Sequence, residues 1–108
     1  MRHKQLIRLW FEREKKSGLI LPDGWYGRPY DNLYELESIE ESGADISICL
    51  VPLLELHFTS VGCVQFRDRD LVISNFSKLR FKWIGVGTSE GSRTYFSGEV
   101  KLVSSRVY

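Results

Sequence analysis

From residue 46 onward, apolar and polar residues alternate repeatedly with a period of two, and that alternation decides the architecture. Leu54, Leu56 and Phe58 fall on one side of an extended segment, with Glu55 and His57 on the other. Leu79, Phe81 and Trp83 repeat the pattern, with Arg80 and Lys82 opposite. Side chains point to alternate faces of a strand, so such segments bury one face and wet the other. Strands are predicted over 33–38, 46–50, 53–58, 63–67, 71–75, 79–84 and 94–103. Asp68-Arg69-Asp70 and Asn75-Phe76-Ser77 read as short hairpin links, and 85–92 as a longer one. Links this short join antiparallel neighbours, because a parallel pair needs a crossover of about a dozen residues or more. Pro52 cannot donate to a ladder and is expected at a break or an edge.

Ahead of the strands, residues 2–17 read as the one convincing helix. Leu6, Ile7, Trp10 and Phe11 form an apolar stripe of the width that docks on a core, with Arg8, Glu12, Lys15 and Lys16 on the wet side. Trp10 on this stripe is read as core rather than as a ligand-stacking ring. Lys15 and Lys16 suit the negative end of the helix dipole, and Gly18 is the expected stop. Residues 18–32 are turn-rich, with Pro22-Asp23-Gly24 as a tight turn. The expected fold is therefore α+β, one domain over residues 1–108: an N-terminal helix packed on a curved antiparallel β-meander of about six or seven strands.

Cys49 and Cys63 are too few for a disulfide framework or a zinc site and read as small buried hydrophobes. No metal and no cofactor is expected. No apolar run approaches the roughly 20 residues that a membrane helix needs. The start, Met1-Arg2-His3-Lys4, leads into a charged amphipathic stretch rather than a signal-peptide core. A cytoplasmic protein is expected, without membrane partners. The glycine-rich run Gly85-Val86-Gly87-Thr88-Ser89-Glu90-Gly91 lacks the Lys-Ser/Thr pair and the following helix of a phosphate loop, and reads as a hairpin tip. Arg67-Asp68-Arg69-Asp70 alternates in sign and reads as a solvated turn.

Charge is where the sequence speaks about function. The formal net charge is +1, but it is segregated. Residues 1–30 balance to +4; residues 31–60 hold seven acids (Asp31, Glu35, Glu37, Glu40, Glu41, Asp45, Glu55) and no Lys or Arg; residues 61–108 balance to +4 again. Either the acids pair with basic strands across the sheet, or Glu35, Glu37, Glu40, Glu41 and Asp45 form an acidic edge. Such an edge repels nucleic acid and attracts a basic protein. The aromatic stretch holding Trp25, Tyr26 and Tyr30 with Arg28 is either a lid folding its rings over the sheet, with Arg28 stacked among them, or a binding rim. Glu55 and His57 share a strand face and could do acid–base work, but no third ligand or nucleophile is evident from sequence.

The run Leu21-Pro22-Asp23-Gly24-Trp25-Tyr26-Gly27-Arg28-Pro29-Tyr30-Asp31-Asn32 looks like a motif of small uncharacterised bacterial single-domain proteins. Ile73-Ser74-Asn75-Phe76 and Phe81-Lys82-Trp83 are similar in kind. In size and charge the layout also resembles immunity proteins of bacterial toxin systems. That resemblance implies a non-enzymatic module that occludes a cognate basic toxin domain, a nuclease for example. The electrostatic contacts would be Glu35, Glu37, Glu40, Glu41 and Asp45, with Trp25, Tyr26 and Tyr30 as rim or anchor aromatics. The alternative is a small ligand-binding domain or enzyme using loop 21–32 and Glu55/His57.

Overall fold

The alternating segments do form strands, but they do not stay in one sheet. The computed structural model describes residues 3–26, 33–51, 54–84 and 90–104. Helix α1 (His3–Glu14) is followed by β1 (Ser17–Leu21), β2 (Gly24–Trp25), β3 (Glu35–Ser42), β4 (Asp45–Val51) and β5 (Leu54–Thr59). Then come β6 (Cys63–Arg67), β7 (Asp70–Ser74), β8 (Lys78–Ile84), β9 (Glu90–Tyr95) and β10 (Glu99–Ser104). One sheet has the order β2-β1-β10-β7-β6 and the other β3-β4-β5-β8-β9, with antiparallel neighbours throughout. The class is α+β. The expected single curved meander of six or seven strands is corrected to two five-stranded sheets, ten strands among the described residues.

The difference lies in where the chain changes sheet. It crosses after β2, after β5, after β7 and after β9, and the last three crossings each contain a residue with positive φ: Ser60 at 54°, Asn75 at 57° and Gly98 at 117°. A left-handed residue turns the chain out of the pleat. Asn75-Phe76-Ser77, expected as a hairpin link, is therefore a corner between sheets. The predicted strand 94–103 is broken at Phe96-Ser97-Gly98 and serves both sheets. At Gly98 a side chain would also collide with Pro22, whose Cβ lies 2.8 Å from the position of an added Cβ. The corners after β5 and β7 are stitched together by Gly62 N–H to Asn75 C=O (2.9 Å) and Ser77 N–H to Thr59 C=O (2.9 Å).

Helix α1 ends three residues before the expected boundary. Lys15, not Gly18, takes the left-handed conformation that stops it (φ 70°), and β1 begins two residues later. The predicted stripe is buried: Ile7, Trp10 and Phe11 join the core, with Leu6 packed against it. α1 packs against β6 and β3 and so covers one open side between the sheets. Trp10 Nε1 donates to the Arg69 carbonyl at 2.8 Å, and the Arg13 guanidinium lies over the Phe66 ring, 5.5 Å from its centroid. Glu14 is buried; it accepts from Arg13 Nε at 2.7 Å and from Ser104 Oγ at 2.6 Å, tying the helix to β10. A backbone bridge between Ser17 and Tyr34 joins the sheets near the start of β3. No helix among the described residues is long and apolar enough to cross a membrane.

Two stability predictions follow from this packing. Glu14→Ala removes a buried carboxylate that is hydrogen-bonded to both Arg13 and Ser104, so urea unfolding should show a loss of about 2–4 kcal/mol. A side chain at Gly91 would be in hard contact with the Trp83 indole. Gly91→Ala should therefore cost about 1–3 kcal/mol by overpacking, measured in the same way.

Candidate functional site

The outer face of the second sheet is largely polar, with Val51 exposed at one end, because the inward positions of its strands take most of the apolar residues. Ile46, Ile48 and Leu50 of β4, Leu54, Leu56 and Phe58 of β5, and Leu79 and Phe81 of β8 are all buried. The strand register then sets the outer rows. Glu40 stands opposite Ser47, Ser47 opposite His57, His57 opposite Arg80, and Arg80 opposite Thr94. In the next row Ser38, Cys49, Glu55, Lys82 and Ser92 follow one another.

Charge is sorted across this face. β3 is an edge strand carrying Glu35, Glu37 and Glu40, all exposed. A register shift between Leu36 and Ser38 accommodates Glu37 as an extra residue. β8 carries Lys78, Arg80 and Lys82 on the same face, with β4 and β5 between. Three strand spacings of about 4.8 Å put the two stripes roughly 14 Å apart. That exceeds ion-pair reach and the screening length of about 8 Å at physiological salt. Among the described residues, Glu35, Glu37, Glu40, Glu41 and Asp45 form no ion pair. The acids of β3 are thus not compensated across the sheet.

The other two acids sit differently. Asp45 is exposed at the β3–β4 hairpin, where its Oδ1 accepts the Ser60 N–H at 3.0 Å and pins the corner after β5. Glu41 is half-buried and, with Lys4, Gln5 and Arg8, lines a cavity of ≈ 280 Å³ between α1 and β3. Its Oε1 is shielded from solvent without a hydrogen-bond partner. A second cavity of ≈ 230 Å³, lined by Arg8, Phe11, Glu12, Lys15, Glu35 and Leu36, continues along the same groove.

The aromatic stretch divides. Tyr26 packs against the core, with its ring centroid 4.9 Å from Phe81, 6.2 Å from Trp83 and 6.3 Å from Tyr34. The cation stacked among these rings is Arg93, 5.5 Å from the centre of Trp83; Arg28 and Tyr30 lie outside the described residues. Asp23 at the tip of the β1–β2 turn accepts from Tyr95 Oη at 3.0 Å and from Arg93 Nη1 at 3.5 Å, which fastens that turn to β9. Trp25 is 36% exposed on β2, at the edge of the other sheet and over Gly18. It is not part of the β3 row.

Sequence reasoning missed Ser47. Its Oγ lies 3.0 Å from His57 Nδ1, and His57 Nε2 lies 3.2 Å from Glu55 Oε1, giving a serine–histidine–glutamate chain. The β4–β5 register brings Ser47 opposite His57, which spacing along one strand could not reveal. The arrangement orders donors and acceptors as nucleophilic catalysis does. Yet it lies on a flat sheet whose peptide N–H groups serve the ladders, away from the two cavities described. Cys49 and Cys63 are free thiols, half-buried rather than buried as expected. Among the described residues, no three His, Cys, Asp or Glu side chains converge to hold a metal ion.

No family model, curated protein or solved structure matches this chain.

Burial also perturbs the tyrosines at the junction of the sheets. Burial pushes the Tyr34 hydroxyl up to about 12, with Tyr26 nearby adding to the rise. In the unfolded chain the group titrates near 10. Between roughly pH 10 and 12 the unfolded chain therefore holds fewer protons, and stability falls as pH rises. Tyr34→Phe should flatten that alkaline decline, read from urea midpoints at stepped pH; an unchanged slope would place the titration elsewhere.

Proposed function

We propose that this chain is a non-enzymatic protein-binding module that docks a basic protein on the β3 edge. Its partner is a toxin domain whose basic active-site cleft it covers as an immunity protein. The observation that carries this reading is the row Glu35, Glu37 and Glu40, exposed on an edge strand and engaged in no ion pair among the described residues. A run of fixed negative charge imitates the phosphates that a nuclease cleft is built to hold. It steers a basic surface to the edge and accelerates encounter by about 10- to 1000-fold at low salt. Glu41 and Asp45 contribute to the field. The second reading, acid–base or nucleophilic chemistry at Ser47, His57 and Glu55, is favoured by their hydrogen-bond order. It is weakened by their open, flat setting without free backbone donors for an oxyanion.

Affinity capture from lysate of the source cell, with wild type beside the double variant Glu37→Lys/Glu40→Lys, tests the proposal. A basic toxin domain should be retained by wild type at low salt, released at high salt and lost on reversal. Its association rate should fall about tenfold or more in the double variant. Equal retention by both proteins would overturn the reading.

A further inference from the structure

We infer that the basic partner binds by strand addition: an extended segment pairs with the free edge of β3 and lies in the groove beside α1, presenting Lys or Arg at alternate positions to Glu35, Glu37 and Glu40. This rests on the docking reading above and specifies its geometry.

β3 is eight residues long and ends the order of its sheet, so one side of its backbone is unpaired among the described residues. An edge of that length is a template for another strand, held by main-chain hydrogen bonds and selected by alternate side chains. The groove beside it is already open. Its two cavities, ≈ 280 and ≈ 230 Å³, share Arg8 and are floored in part by Phe11 and Leu36. The side chains of Lys4, Gln5, Arg8 and Glu41 make no hydrogen bond or ion pair among the described residues. The shielded Oε1 of Glu41 lacks a donor. A hydroxyl on the helix-facing side of a guest strand would donate to that oxygen and accept from Lys4 or Arg8.

Charge selects the occupant. A second copy pairing through β3 would set glutamate against glutamate, which opposes pairing. A strand with cations on its outward face meets the same three residues as partners. The glutamates thus close the edge to copies of this chain and open it to a basic strand.

The probe is an acetylated, amidated eight-residue peptide of alternating Lys and Thr, with two twins N-methylated at alternate nitrogens in opposite phases. Binding to the full chain is followed by NMR titration and amide exchange. The parent peptide should slow exchange at alternate β3 amides. One twin should bind like the parent, and the other, unable to donate toward β3, about tenfold or more weaker. Equal binding by both twins, or none by the parent, overturns strand addition. The charge-based reading stands or falls separately on the capture with Glu37→Lys/Glu40→Lys.

Discussion

Gly62 N–H to Asn75 C=O and Ser77 N–H to Thr59 C=O are only two backbone hydrogen bonds, yet they hold two corners of the chain side by side. Because of them the β6–β7 hairpin can leave for the other sheet while β5 and β8 remain neighbours. Asp45 reinforces the same place through the Ser60 N–H. Once β5 and β8 are adjacent, the outward residues of β8 face those of β5, and β3 is left at the far edge. The separation of charge on the outer face is thus a result of how the corners are closed.

Much of this was written in the chain, for a physical reason. Half-buried strands must alternate, so β4, β5, β6, β7 and β8 were legible to within a residue or two. The helix stripe of Ile7, Trp10 and Phe11 was legible because docking on a core imposes its own period. Sheet changes leave almost no such trace. Asn75 and Gly98 carry the necessary backbone freedom, but Ser60 does not advertise it, and a corner and a hairpin link draw on the same residues. β1 was hidden because Ser17 and Gly18 follow the helix so closely that they resemble its termination.

The candidate site shows the same division. That the middle third is acidic was plain, and the register places the exposed glutamates of β3 on an edge, three strands from the cations of β8. Which carboxylates are exposed could not be read from sequence: Glu40 and Glu41 are adjacent, yet one faces water and the other the α1 groove. Ser47 was invisible for a related reason, since only pairing of β4 with β5 brings it to His57. Of the aromatic stretch, Tyr26 packs against the core, and a cation over Trp83 comes from Arg93 of β9, which no reading of that stretch alone could name.

One consequence of the sorted outer face concerns orientation. With glutamates along one margin and Lys78, Arg80 and Lys82 along the strand nearer the other, the face carries an in-plane dipole. A charged body drifting toward it experiences a torque as well as a pull, and is rotated before the surfaces touch. A flat sheet without a deep pocket can in this way favour one angle of approach over the rest.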